Sequence, residues 1–166
     1  AQLEKNFAVI PFHIILNKDS YEDGVNITPS SLLSFFDKTR QTAQTSAPST
    51  GEYLDFFSAL TENGNQLVHL CMSSELSAAY TNALRAKDML KEHDIRVIDT
   101  RSLSGGIALL ALTAQRAVDS GKTANEIEAL IKNAQNRLNV SFIINSTETL
   151  YRGGRCSSAQ KFATQA

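Results

Sequence analysis

Cysteine is scarce in this chain: only Cys71 and Cys156 occur. They stand far apart with no Cys-x-x-Cys or Cys/His spacing around either, which argues against a disulfide framework and a metal centre. Charge of one sign is scarce too. Sixteen Lys and Arg against 17 Asp and Glu leave a formal net charge of -1, so electrostatics nominate neither nucleic acid nor an acidic membrane surface as a partner. No apolar run approaches the roughly eighteen residues a membrane span needs, and no stable membrane insertion is expected. The opening residues AQLEKN lack the basic and apolar regions of a signal peptide, so a cytoplasmic protein is expected. The first residue is not Met, as expected of a processed or trimmed piece. A Walker-type Gly-x-x-x-x-Gly-Lys run and a Gly-x-Ser-x-Gly elbow are both missing, which removes support for nucleotide binding and for an elbow-type serine hydrolase.

What is present is an ordinary globular text, 42% hydrophobic and 20% charged over 166 residues, enough for one well-buried domain and the start of another. Residues 7–16 (FAVIPFHIIL) read as a strand with a bend or edge position at Pro11. Thr28-Pro29 opens a helix, the hydroxyl capping and the proline pre-set at the first helical position. Residues 42–50 are polar and turn-forming, and Ser49 with Glu52 reads as a capping box for the next helix. Residues 66–72 (QLVHLCM) read as a buried strand, followed by Ser73-Ser74 as the cap of a long helix reaching about His93. A second strand covers residues 95–99 (IRVID), and an Ala/Leu-rich helix after it stops at Gly121. Thr123 and Glu126 form another capping box, and residues 140–144 read as the last strand. Strands separated by helices of this length predict an α/β fold, a mainly parallel sheet with helices on both faces.

In such a sheet ligands gather beyond the carboxyl ends of the strands. Three polar segments qualify: Thr45 to Ser49, Ser73 to Ser77, and Asp99 to Gly106. Each offers hydroxyls and backbone N–H groups, which favour an anion at a helix start. A serine or threonine before a helix is more often a cap than a ligand contact, and Ser49 and Thr123 are assigned to capping. The paired hydroxyls at Thr45-Ser46 and Ser73-Ser74, with Ser77 a turn further on, exceed what capping requires. Nucleophilic roles lack a base, since His13 and His69 alternate within strand patterns and His93 ends a helix. Gly153-Gly154-Arg155 reads either as a loop over a ligand or as a turn with a solvated charge.

The order of these motifs resembles the DegV family. The matching pieces are Val9-Ile10-Pro11-Phe12, Tyr21-Glu22-Asp23-Gly24-Val25, Thr45-Ser46-Ala47-Pro48-Ser49, Ser73-Ser74-Glu75-Leu76-Ser77-Ala78-Ala79-Tyr80, Val97-Ile98-Asp99-Thr100 and Leu150-Tyr151-Arg152-Gly153-Gly154-Arg155. The resemblance implies a non-catalytic protein with no cofactor that binds a long-chain fatty acid such as palmitate. In some members a separate kinase subunit is the partner that phosphorylates the carboxylate. It implies a carboxylate site at Thr45, Ser46, Ser73, Ser74 and Ser77, with Gly105, Gly106, Gly153, Gly154 and Arg155 as loop contacts. It implies an α/β ligand-binding domain over residues 1–150, with residues 151–166 opening a second domain or its linker. The family's usual Ser-Gly-Thr-Tyr reads Ser77-Ala78-Ala79-Tyr80 here. The family's first strand, ending in a Thr-Asp-Ser-like turn, and most of its C-terminal domain, including a carboxylate-contacting histidine, have no counterpart in this text, which implies half of a pocket.

Burying an alkyl chain yields about 0.8 kcal/mol per methylene, so a dozen yield roughly 10 kcal/mol, against about 0.3 to 2 kcal/mol for an anion at a helix N-terminus. The tail of such a ligand supplies affinity and the head sets orientation. Two other readings exist. One is a phosphotransfer enzyme or binding domain for a phosphorylated sugar or triose, resembling dihydroxyacetone-kinase-like domains, for which Asp99 is the carboxylate of interest. The other is an interaction subunit whose polar loops serve only as caps.

Overall fold

The computed structural model describes residues 7–144 and 147–157. The signal-peptide reading of the first six residues and the reading of residues 158–166 as part of a second domain fall outside the described residues. The chain forms an α/β fold divided, over the described residues, into two compact units: residues 7–10 with 48–141, and residues 11–47 with 142–144 and 147–157. This division differs from the expected domains 1–150 and 151–166, whose boundary falls within a helix, Glu148–Arg152.

In the second unit the first apolar run folds back on itself. Strand β1 (His13–Leu16) pairs antiparallel with β2 (Asp19–Glu22), Leu16 opposite Asp19. The two-residue turn between them holds Asn17 at φ 57, a left-handed conformation that asparagine tolerates better than most residues. Helix α1 (Pro29–Thr39) follows, with Thr28 as cap accepting the Ser31 N–H at 3.2 Å. Strand β3 (Gln44–Ser46) then pairs antiparallel with the other edge of β1, Thr45 opposite Ile14. Ile14, Leu16 and Ile27 form a small core with Tyr21, Leu32, Phe35 and Ala43 against it. The parallel pairing expected of the fold is present in part: this sheet is antiparallel in the order β2-β1-β3, and between β1 and β2 a two-residue turn permits only antiparallel return.

The first unit holds the parallel element. Helix α2 (Thr50–Thr61) starts in the expected capping box, Ser49 Oγ accepting the Glu52 N–H at 3.2 Å and Glu52 Oε2 accepting the Ser49 N–H at 2.8 Å. Strand β4 (Leu67–Cys71), helix α3 (Ala79–Met89) and strand β5 (Ile95–Asp99) come next, β4 and β5 pairing in parallel with Cys71 opposite Asp99. Helix α4 (Gly105–Asp119) and helix α5 (Ala124–Gln135) complete it, α5 opening in the Thr123–Glu126 capping box. Strand side chains alternate between faces. Val68, Leu70 and Ile98 pack with Leu110, Ala114, Ala117, Ile127 and Ile131 of α4 and α5. His69 points the other way, its ring 5.3 Å from Tyr53 and 5.2 Å from Phe57 of α2.

Two sequence expectations fail in this unit and beside it. Ser73-Ser74 does not cap α3, whose N-cap is Ala78 with no side-chain bond. Residues 140–144 form no strand. Val140, Phe142, Ile143 and Ile144 are instead exposed, Ile143 at 97%. The residues that make a good strand there find no neighbouring strand among the described residues.

The Nε2 atom of His69 is buried with no hydrogen-bond partner among the described residues, and burial lowers its pKa from 6.5 to about 4. The unfolded chain therefore takes up a proton near pH 6.5 that the folded chain refuses until about pH 4. Stability is complete above the first value and falls as pH drops through that window, by up to about 3 kcal/mol. Urea unfolding across this pH range is expected to show that slope, and His69→Phe, which keeps a ring against Tyr53 and Phe57, is expected to flatten it. An unchanged slope in the variant would assign the acid sensitivity elsewhere.

Candidate functional site

The carboxyl ends of β4 and β5 lie side by side, so the chain leaving each strand enters the same small region of the first unit. Backbone and side-chain bonds stitch the two exits together. The Thr100 N–H and hydroxyl both donate to the Cys71 carbonyl, at 3.1 and 2.6 Å. The Thr100 hydroxyl oxygen accepts the Ser102 N–H at 3.3 Å, and the Ser73 N–H donates to the Ser102 carbonyl at 2.9 Å. Thr100 is 1% exposed, so these bonds are shielded from competing water.

Asp99 ends β5 and accepts three donors. The Ser74 hydroxyl donates to Oδ2 at 2.6 Å; the Ser74 and Arg101 N–H groups donate to Oδ1 at 3.2 and 3.0 Å. The Gln135 amide of α5 bonds its backbone carbonyl. Partial burial pushes the Asp99 carboxyl up, but the Ser74 hydroxyl, the Arg101 and Ser74 amides and the Arg101 charge outweigh it and hold it below the usual carboxylate range. Asp99 is therefore an ionised acceptor at neutral pH. The neighbouring Cys71 thiol is pushed up to about 12 by burial and by the Asp99 charge, and stays neutral.

The three serines of the turn after β4 differ in what they have left to offer. Ser73, 6% exposed, accepts the Glu75 N–H at 3.3 Å, and Ser77 accepts the Ala79 N–H at 3.2 Å. Neither hydroxyl donates to another described residue, so both retain a hydrogen for a ligand. Ser74 is exposed, yet its hydrogen is committed to Asp99. The second exit is tightly folded: Arg101 and Ser104 lie at φ 49 and 50, left-handed values that cost a non-glycine residue energy and cluster at functional sites. Gly106 is buried beside it, and a Cβ there would stand 2.0 Å from Ser102 Oγ and 2.8 Å from a Val140 methyl. Gly105 has open space around it.

The remaining expected residues lie in the second unit. Thr45 and Ser46 are exposed on strand β3, not in a turn before a helix, and Ser46 donates to its neighbour's carbonyl at 3.2 Å. Gly153, Gly154 and Arg155 end helix α6 (Glu148–Arg152). Gly154, at φ 75, donates to the Tyr151 carbonyl at 3.0 Å and Arg155 to the Leu150 carbonyl at 2.8 Å. That is a helix C-cap. The turn reading of this motif thus holds, and Arg155 is exposed. The sequence marks the segment from Asp99 to Gly106 as a candidate ligand region, but not the bonds by which Thr100 and Ser102 join the two exits or the partnership of Asp99 with Ser74; an Asp at a strand end followed by Thr-x-Ser is the available signal.

A parallel strand pair covered by helices, with hydroxyl-bearing turns beyond its carboxyl ends, places the chain among α/β proteins that present small polar groups at the strand ends. Within that class, the chain belongs to the DegV family: the family model described as "Uncharacterised protein, DegV family" matches residues 2–166. A DegV domain-containing protein of Clostridium perfringens is 30% identical over 152 residues, covering 92% of this chain and 54% of that protein. Among solved structures, a fatty-acid-binding DegV family protein of Thermus thermophilus is 25% identical with a TM-score of 0.83, covering 93% of this chain and 55% of that one. A stearic-acid-binding protein of Eubacterium ventriosum is 25% identical with a TM-score of 0.76, covering 90% and 55%. The chain thus spans about half the length of the relatives it matches. No helix among the described residues is long and apolar enough to cross a membrane.

The crowding at Gly106 sets an expectation for Gly106→Ala. It should cost about 1 to 3 kcal/mol as overpacking, measured as a lower urea midpoint, and Ser102→Ala in the same chain should restore part of the loss by removing the nearest atom. A Gly106→Ala chain as stable as the parent would show that the turn yields freely.

Proposed function

We propose that this chain is the α/β part of a cytoplasmic, non-catalytic fatty-acid carrier that holds a long-chain fatty acid by its carboxyl group. The observation that carries this reading is the turn after β4. Three serines stand there and none is the N-cap of α3, because Ala78 holds that position. Ser77 Oγ accepts the N–H of Ala79 at the start of the helix, but Ser73 and Ser77 each keep a hydrogen to give, and that suits a carboxyl group. The likeness to fatty-acid-binding structures over nine-tenths of the chain supports the same ligand class. Ser73 and Ser77 are the donors, Ser74 lies between them, and the family resemblance adds Thr45 and Ser46 and a fatty acid kinase subunit as the partner that receives the head group. Gly105 and Gly106 then shape the loop beside it.

Native mass spectrometry of the chain purified from cells tests the ligand. A bound species of fatty-acid mass supports the carrier, a phosphorylated metabolite supports the sugar-phosphate alternative, and a clean apo mass removes both. The division of labour between tail and head has its own consequence. Thr45→Ala or Ser74→Ala should weaken palmitate binding by no more than about tenfold, the scale of a head-group contribution near 1.4 kcal/mol. Phosphorylation by a fatty acid kinase subunit should fall further than that. Equal losses in titration calorimetry and in the kinase assay would refute the division.

A further inference from the structure

The turn that attracts an anion already holds one. Its exposed donors, the Ser74 hydroxyl and the Ser74 and Arg101 amides, all converge on the Asp99 carboxylate at 2.6, 3.2 and 3.0 Å. A serine hydroxyl has one hydrogen and two lone pairs. With the hydrogen directed at Asp99, Ser74 Oγ turns only lone pairs to an incoming group.

We infer that Asp99 is a positioning residue for the fatty-acid site: by taking the Ser74 hydrogen it makes Ser74 an acceptor, so the bound head group meets it as a protonated carboxylic acid. This rests on the fatty-acid reading above. The head group then divides its own chemistry. Its carbonyl oxygen accepts from Ser73 or Ser77, whose hydrogens are unspent, and its O–H donates to Ser74 Oγ. An ionised head group would face lone pairs on Ser74 and, one hydrogen bond behind them, the negative charge of Asp99. Like charges so close disfavour ionisation of the second.

The groups acting on Asp99 support its staying charged while the ligand is neutral. Arg101 in its own loop is the cation whose charge favours the carboxylate. The Cys71 thiol of β4 is neutral, and α5 contributes the uncharged Gln135 amide to the Asp99 carbonyl. Nothing in this set supplies a second positive charge for the ligand.

Carboxyl-13C palmitate bound to the full chain reports the ionisation of its head group directly through the carbon chemical shift. Titrated by NMR, the bound carboxyl in the wild-type chain is expected to ionise about one pH unit or more above its value in Asp99→Asn, which keeps the shape of the side chain but removes its charge and one of its two acceptor oxygens. Ser74→Ala, which removes the acceptor for the acid hydrogen, is expected to lower the midpoint as well. A merely structural role for Asp99 would change occupancy without moving this midpoint. Bound palmitate with the same midpoint in wild type and Asp99→Asn overturns the inference and leaves the fatty-acid reading standing. Absence of bound palmitate from the wild-type chain overturns both. If Asp99→Asn does not fold, an unchanged midpoint in Ser74→Ala overturns it alone.

Discussion

The parallel pairing of β4 and β5, closed at its carboxyl end by Thr100, is the constraint on which the candidate site depends. A two-stranded ladder is marginal by itself, and a parallel one requires cover on both faces. The alternation within β4 supplies that cover, Val68 and Leu70 facing α4 and α5 while His69 faces Tyr53 and Phe57. Once the register sets Cys71 opposite Asp99, the two exits have little freedom. The Thr100 hydroxyl caps the Cys71 carbonyl, the Ser73 amide finds the Ser102 carbonyl, and Ser74 arrives within reach of Asp99. Apolar burial in the strand thus fixes a polar geometry some residues further along.

The elements legible in the sequence were those whose signals are local. Thr28, Ser49 and Thr123 cap helices as their spacing predicts, since a hydroxyl or capping box needs only residues within one turn. Strands β4 and β5 were readable because their apolar runs are short and bounded by polar turns. The hairpin β1–β2 was not, because Asn17-Lys18 lacks the Asn-Gly or Asp-Gly dipeptide that announces a two-residue turn. Thr45 and Ser46 belong to a strand only through pairing with β1, a contact across some thirty residues that no local pattern records. Residues 140–144 show the converse. A β-branched, aromatic run specifies what a strand would like to be, but a strand exists only where another backbone answers its hydrogen bonds.

The site was legible at the level of residue type and opaque at the level of hydrogen-bond direction. Counting serines after β4 identifies three hydroxyls ahead of one helix, whose N-cap is Ala78 and whose first amide is taken by Ser77. It does not reveal that one of the three has spent its hydrogen. That depends on Asp99, twenty-five residues on, and on the parallel register that brings it alongside.

The preference inferred above for a neutral head group over a free anion has the same origin. Backbone amides at a strand-to-helix turn attract negative charge wherever they are left unpaired. Here the amides of Ser74 and Arg101 are satisfied by the chain's own carboxylate, and their pull is largely cancelled at the distance of a hydrogen bond. What the turn still offers is a set of hydroxyls of mixed polarity, donors at the buried Ser73 and the half-buried Ser77 and an acceptor at the exposed Ser74. An anion could use only the donors. A carboxylic acid, carrying one acceptor and one donor on adjacent oxygens, can use both kinds, and its hydrogen bonds are then complementary to the turn in direction as well as in number.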